Sequence, residues 1–166
     1  YQEKAAELGC LLGIKTQAAM TMMSEISDFS RFRTASEFAS FLGLVPGENS
    51  SGEKTQRTSI TKSGNSQCRK TLIEAAAGIC RGKVGHKSKE LMRRQALCNN
   101  PIAISYADRA NERLRSKFYR LNLRNGKPAN VAKTAVAREL ACFIWGIMTD
   151  TYNGKVPRND EYALGK

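Results

Sequence analysis

The chain has 166 residues, enough for one domain with its own hydrophobic core, and 41% of them are hydrophobic. It carries 27 Lys and Arg against 15 Asp and Glu, so its formal net charge is +12 at pH 7. Because such an excess repels itself in a compact chain, we expect a polyanionic partner, with nucleic acid as the first candidate. A basic surface that serves only solubility is the alternative. The longest apolar run, residues 140–148, is far shorter than the roughly 20 residues of a membrane-spanning helix.

The cysteines indicate neither a metal site nor a disulfide framework. They are odd in number and widely spaced, and the chain has a single histidine: Cys10, Cys68, Cys80, Cys98 and Cys142, with His86. Zinc ligands cluster and disulfides need pairs, so we predict buried thiols in a reducing cytoplasm and no bound metal. The chain does not begin with Met, and we expect it to be part of a longer protein.

Two helices are predicted at the start of the chain, over residues 3–14 and 15–26, because apolar residues recur there at helical spacing. Gly13 separates them. The segment is similar to a helix-hairpin-helix, in which backbone N–H groups at a helix N-terminus bind DNA phosphate. Lys15 stands where that motif usually has its second glycine. A tight turn between two packed helices is an equally good interpretation.

A third helix is predicted to begin after Thr34, because Glu37 three residues later completes a capping box. It is expected to end at Gly43, since glycine is common just past a helix C-terminus. The Val-Pro-Gly that follows cannot continue a helix.

The next segment, to about residue 62, is predicted to be an irregular polar loop. Its adjacent serines, Ser50 and Ser51, are candidates for a nucleophile that attacks DNA. Residues 55–61 are rich in β-branched side chains, which suit a small hairpin or an extended arm. The cations expected to hold the attacked phosphate are Lys54, Arg57 and Lys62.

A fourth helix is predicted over residues 67–81, after a Ser-Gly-Asn-Ser break. Arg69 and Lys70 lie in its first turn, where the helix dipole disfavours cations. A nearby phosphate would remove that conflict, and the alternative is ordinary solvated charge. Residues 81–94 are read as a basic surface connection leading into a short helix over 87–96, with His86 facing solvent.

The last two predicted helices are long. The first, over residues 102–123, is predicted to start at Asn99-Asn100-Pro101, and it has an apolar stripe and a positive face suited to a phosphate backbone. That face carries Arg109, Arg113, Arg115, Lys117, Arg120 and Arg124. The second, over residues 129–151, is apolar on most faces and is expected to form the centre of the domain, with Lys133 and Arg138 interrupting it. Residues 152–166 are predicted to be a polar tail. The chain is thus expected to be an all-α domain of six or seven helices.

The order of these motifs resembles a known family. The stretch GLVPGENSSGEKTQRTSITKSGNSQCRKTLIEAAAGICR, followed by RNGKPANVAKTAVARELACFIWGIM, is similar to the C-terminal domain of the IS110 insertion-sequence transposases. These include Piv-type invertases and bridge-RNA-guided recombinases. The resemblance covers residues 1–151, and it implies a bacterial, cytoplasmic, nucleoid-associated protein.

The resemblance implies a division of labour between two domains. An N-terminal RuvC-like domain, absent from this chain, would bind magnesium, and the present domain would supply a nucleophilic serine. That serine is Ser51, followed by Gly52, with Ser50 as the alternative. Lys62, Gly64, Asn65 and Arg69 match one family element, and Lys133, Ala137 and Arg138 match the C-terminal helix.

Two functions follow as hypotheses. The first is a transposase domain that cleaves and transfers DNA through a covalent phosphoserine intermediate, with DNA, a guide RNA and further copies of the protein as partners. The second is a non-catalytic nucleic-acid-binding module in which the serines only shape a loop. The predicted nucleic-acid-binding residues are Lys54, Arg57, Lys62, Gly64, Asn65, Arg69, Lys70, Arg113, Lys117, Arg120, Lys133 and Arg138.

Overall fold

The computed structural model describes residues 1–51 and 54–152, and for residues 48–51 and 54–58 it describes the backbone alone. The helices in chain order are α1 (Gln2–Leu8), α2 (Thr16–Ile26), α3 (Ala35–Phe41), α4 (Ser66–Cys80), α5 (Lys89–Ala96), α6 (Pro101–Tyr119) and α7 (Ala129–Met148). A π-helical turn (Arg120–Arg124) extends α6, and strands β1 (Pro46–Ser51) and β2 (Lys54–Ile60) lie between α3 and α4. The all-α prediction is confirmed. The small hairpin suggested for residues 55–61 is also present, and its first strand includes the serine pair, which was expected to lie in an irregular loop.

The apolar helix α7 forms the centre of the fold, as its sequence predicts. Val136, Leu140, Phe143, Ile144 and Ile147 are fully buried along it. Helices α1, α3, α4 and α6 all contact α7. Because burying one such side chain stabilises a fold by about 1.5–3 kcal/mol, this helix anchors its neighbours.

Side chains predicted to begin helices do so in the structure. The Thr34 hydroxyl accepts a hydrogen bond from the Glu37 N–H at 3.1 Å, which begins α3. The Asn100 side chain accepts from the N–H of Ala103 at 3.2 Å, and Pro101 is the first residue of α6. The local signals in the sequence therefore place these helix starts correctly.

The turn between α1 and α2 is packed against distant helices, while Lys15 and Thr16 at the start of α2 are exposed. The Leu12 N–H donates to the Asn111 side chain at 2.8 Å, and the Arg94 guanidinium donates to several carbonyls of the turn. A Cβ at Gly13 would lie 2.5 Å from the Ala75 carbonyl oxygen on α4. The geometry fits the tight turn between packed helices, and phosphate binding at the exposed start of α2 stays a prediction.

The five cysteines are buried, as predicted, and none of them is bonded to another. Burial raises the pKa of Cys68 and of Cys142 to about 12, so both are neutral thiols at physiological pH. The first residue of the predicted tail, Tyr152, is also buried, with its ring centroid 5.1 Å from that of Tyr106. The rest of that tail, residues 153–166, lies outside the described residues.

Within residues 1–51 and 54–152, none of the helices combines the length and the apolar character that crossing a membrane requires.

Candidate functional site

The candidate serines lie at the far end of the hairpin. Ser51 is the last residue of β1 and pairs with Lys54 in the antiparallel ladder, and Ser50 precedes it. Arg57, also predicted to bind nucleic acid, lies on the same returning strand and pairs nearer the base. Gly52, which follows the candidate nucleophile, lies outside the described residues. The backbone therefore places one predicted cation directly opposite Ser51.

The hairpin joins the helices through a short base, residues 42–45 and 61–64, which we call the neck. The Thr61 N–H donates to the Val45 carbonyl at 3.0 Å, and the Lys62 N–H donates to the Gly43 carbonyl at 3.2 Å. These bonds continue the pairing of the two strands down to the end of α3. The hairpin thus leaves and returns to the helical body at one place.

Glycines make the close approach at the neck sterically feasible. Gly43 and Gly64 have φ values of +69° and +79°, a region that glycine adopts readily. A Cβ at Gly43 would lie 2.7 Å from the Ser63 nitrogen, and one at Gly64 would lie 2.8 Å from the Phe41 carbonyl carbon. Gly64, which the sequence placed among the nucleic-acid-binding residues, therefore has a packing role that the structure shows directly.

Asn65 and Arg69 also hold the neck. The Asn65 side chain caps α4 by accepting from the Cys68 N–H at 2.9 Å, and its amide donates to Glu25 on α2 at 2.7 Å. The Arg69 guanidinium donates to the Leu42 and Ser63 carbonyls, each at 3.1 Å. Both predicted nucleic-acid ligands are thus engaged within the protein.

Two other predicted cations beside the neck, Lys62 and Lys70, are exposed. Lys62 has a φ of +53°, which is uncommon for a residue other than glycine. Lys70 lies on the solvent side of the first turn of α4. Their side chains are therefore positioned to meet a partner beside the neck.

A second cluster of the predicted cations lines a pocket of about 460 Å³ between the end of α6 and α7. The lining residues are Val84, Arg113, Ser116, Lys117, Tyr119, Arg120, Arg124 and Glu139. The Asn125 N–H donates to the Arg120 carbonyl at 3.0 Å, five residues back, which is the spacing of a π-helix. π-helical turns often occur at functional sites, so this turn favours a functional role for the pocket beside it.

The buried carboxylate of Glu139 pairs with two of the cations that line this pocket. Its side chain is 3% exposed and lies 2.5 Å from the Lys117 ammonium, while the Arg113 guanidinium bonds its other oxygen. Burial alone would raise the pKa of Glu139, but the two cations outweigh burial and lower it. The charged carboxylate thus fixes two cations, while Arg120 and Arg124 are exposed at the rim.

The structure corrects one member of the predicted positive face. Arg115 is only 6% exposed and points inward, where it donates to the carbonyls of Ile79, Lys83 and His86 at 3.1, 2.7 and 2.6 Å. It braces the connection after α4 instead of facing a phosphate backbone. His86 itself is exposed, as expected.

On α7, Lys133 and Arg138 are half-buried, and neither lines the pocket. Ala137, from the same family element, is fully buried in the core. The binding of nucleic acid by Lys133 and Arg138 stays a prediction.

Sequence reasoning missed two carboxylates, Glu139 and Glu25. Glu139 is an isolated acid in the apolar run of α7, and such an acid must find cations once it is buried, so a signal was available. Glu25 gives no comparable signal, because it contacts Asn65 only through the tertiary fold. No group of three or more His, Cys, Asp or Glu side chains that could hold a metal occurs in the described parts of the chain.

Comparison with known proteins gives the family. The model of the transposase IS116/IS110/IS902 family matches residues 5–92, just over half of the chain. A putative transposase y4qE of Sinorhizobium fredii is 39% identical over 140 residues, which are 84% of this chain and 35% of the relative.

More distant relatives agree. A probable family 20 transposase of Pseudomonas aeruginosa is 27% identical over 140 residues, covering 82% of this chain and 33% of the relative. The transposase for insertion sequence element IS1111A of Coxiella burnetii is 29% identical over 99 residues, covering 56% of this chain and 27% of the relative. The chain spans about a third of the length of the curated relatives it matches. By its sequence, the chain belongs to the transposase IS116/IS110/IS902 family.

Proposed function

We propose that this chain is the serine-bearing domain of a DNA transposase, and that Ser51, with Ser50 as the alternative, attacks a DNA phosphodiester. The observation that carries the proposal is the position of the serine pair: the far end of a hairpin whose base is anchored to the helical body. A projecting hairpin can reach a strand that the rigid helices cannot, while its base keeps the serine in register.

The step conserves atoms and charge. The serine oxygen forms a bond to phosphorus, and the bond from phosphorus to one deoxyribose oxygen breaks. That deoxyribose oxygen gains a proton, and the serine hydroxyl loses one. The product is a phosphoserine diester joined to one strand end, from which reversal of the same step joins a new strand end.

The cations supply the electrostatic part of the reaction. Attack places charge on the non-bridging phosphate oxygens, which fixed positive groups stabilise. Lys54 pairs with Ser51 at the far end of the hairpin, so we assign it to the attacked phosphate, whereas Lys62 and Lys70 lie at the base and are assigned to neighbouring phosphates of the same strand. The pocket cations Arg113, Lys117 and Arg120 are assigned to other phosphates of the same nucleic acid, because they lie at the opposite end of α4.

We assign the magnesium to the RuvC-like domain of the full-length protein. The described residues contain no cluster that fits a magnesium ion, so no step is derived through one. The RuvC-like magnesium domain, the guide RNA and self-association rest on the family resemblance alone.

Substitution of the serines tests the proposal in the full-length protein that contains this chain. We expect Ser51→Ala to abolish strand exchange while the affinity for DNA changes less than about twofold. Ser24→Ala, which alters an exposed serine on α2, is the matched control. Unchanged exchange in Ser51→Ala together with lost exchange in Ser50→Ala would move the nucleophile to Ser50. Exchange that survives the double substitution would favour the non-catalytic module.

A further inference from the structure

One residue, Arg69, bonds both sides of the serine hairpin at its base. Leu42 precedes the hairpin and Ser63 follows it, and the same guanidinium nitrogen donates to both carbonyls at 3.1 Å. A planar guanidinium holds its N–H groups in a fixed geometry, so the two carbonyls are fixed relative to each other and to α4. Breaking these bonds would leave the two backbone bonds of the neck to hold the hairpin.

The position of Arg69 resolves an electrostatic conflict in the sequence. A cation in the first turn of α4 is disfavoured by the dipole of that helix. Leu42 is the C-cap residue that follows α3, and its carbonyl belongs to the negative end of that helix. The C-terminus of α3 therefore supplies the negative partner that a phosphate would otherwise have to supply.

We propose that Arg69 is a positioning residue that sets the angle at which the serine hairpin leaves the helical body. The inference rests on the proposed function, because the angle of the hairpin matters only if a serine at its far end must reach a DNA phosphate. It replaces the expectation that Arg69 binds a phosphate of the nucleic acid. In this account Gly43 and Gly64 allow the close approach of the two chain segments, and Arg69 locks it.

The length of the hairpin makes the angle matter. A strand the length of β1 extends about 20 Å at roughly 3.3 Å per residue. A rotation of about 10° at its base therefore moves the far end by about 3 Å. A nucleophile must come within about 3–3.5 Å of its target, and an error of about 1 Å can cost roughly 100-fold in rate.

The experiment compares Arg69→Gln and Arg69→Lys with wild type in the full-length protein. For Arg69→Gln we expect the rate of covalent adduct formation at saturating DNA to fall about 10- to 100-fold, with the dissociation constant for DNA within about twofold. Hydrogen exchange at the amides of Thr61 and Lys62 should become faster. Arg69→Lys should recover part of the rate, because an ammonium can still donate to the carbonyls.

Arg81→Gln is the matched control, since it removes an exposed cation at the other end of α4. It should alter neither the exchange at the neck nor the rate. A loss of DNA affinity in Arg69→Gln, with a salt dependence weaker by about one phosphate contact and unchanged exchange at the neck, would overturn the inference. If wild type forms no adduct, the proposed function fails, whereas unchanged amide exchange in both variants refutes the role of Arg69 at the neck.

Discussion

Replacement of Gly64 by alanine tests whether the neck is as tightly packed as the structure indicates. The new Cβ would lie 2.8 Å from the Phe41 carbonyl carbon and closer still to its oxygen, so α3 and the neck would have to separate. Gly85 is the matched control. Its φ of +77° is nearly that of Gly64, at +79°, yet a Cβ there meets nothing within 4 Å.

The two substitutions separate backbone strain from packing. In Gly85→Ala the cost is the left-handed conformation alone, about 1 kcal/mol. Gly64→Ala carries the same strain and in addition disturbs the hydrogen bonds of the neck, which are worth about 1 kcal/mol each. With two or three of them weakened, the expected loss of unfolding free energy is about 3–4 kcal/mol.

Urea unfolding followed by circular dichroism measures the difference. For an m-value of about 2 kcal/mol/M, the midpoint should fall by about 0.5 M in Gly85→Ala and by about 1.5–2 M in Gly64→Ala. Equal shifts in the two variants would refute the reasoning, because they would mean that the neck yields to a methyl group at no cost.

Two further predictions concern the pocket between α6 and α7. Glu139→Gln should cost about 2–3 kcal/mol of unfolding free energy at pH 7, because it leaves Lys117 and its neighbouring guanidinium without their buried counter-charge. The folded-state pKa of Glu139 is lowered, so its stabilisation is present above the unfolded value near 4.5 and is lost as the pH falls through the folded value. Thermal melts of wild type and variant should therefore converge in acid, and a constant difference down to low pH would contradict this assignment. Arg120→Gln should reduce the slope of log affinity for DNA against log salt by about one, as titrations at several salt concentrations would show, while Arg93→Gln on the exposed side of α5 should leave it unchanged. Equal slopes in both variants would show that Arg120 does not contact a DNA phosphate.

Much of the fold follows from local signals. The starts of α3 and α6 are encoded by Thr34 and by Asn100 with Pro101, and the apolar α7 occupies the centre because it has few polar residues to leave in solvent. Helix ends were less predictable. The first helix was expected to reach residue 14 but ends at Leu8, because the turn that follows is held by contacts with distant helices.

The candidate site was only partly predictable, for a physical reason. The sequence shows that Arg69 conflicts with the dipole of its own helix. From the sequence alone, a phosphate and the C-terminus of α3 are equally good negative partners for it. Likewise the helical spacing of α6 placed Arg115 on a basic face, and only the tertiary fold turns it towards the carbonyls of the chain after α4. Contacts between distant residues, which no local pattern encodes, decided both cases.

The central claim, a serine nucleophile on an anchored hairpin, is tested most directly by trapping the covalent product. Full-length protein would be incubated with labelled DNA carrying its recombination site, with magnesium, and with the guide RNA that the family resemblance implies. The mixture would then be denatured, and the attached residue mapped by mass spectrometry. The account predicts a denaturation-resistant adduct at Ser51, or at Ser50 as the alternative. Recombination that proceeds without an adduct at either serine would contradict it.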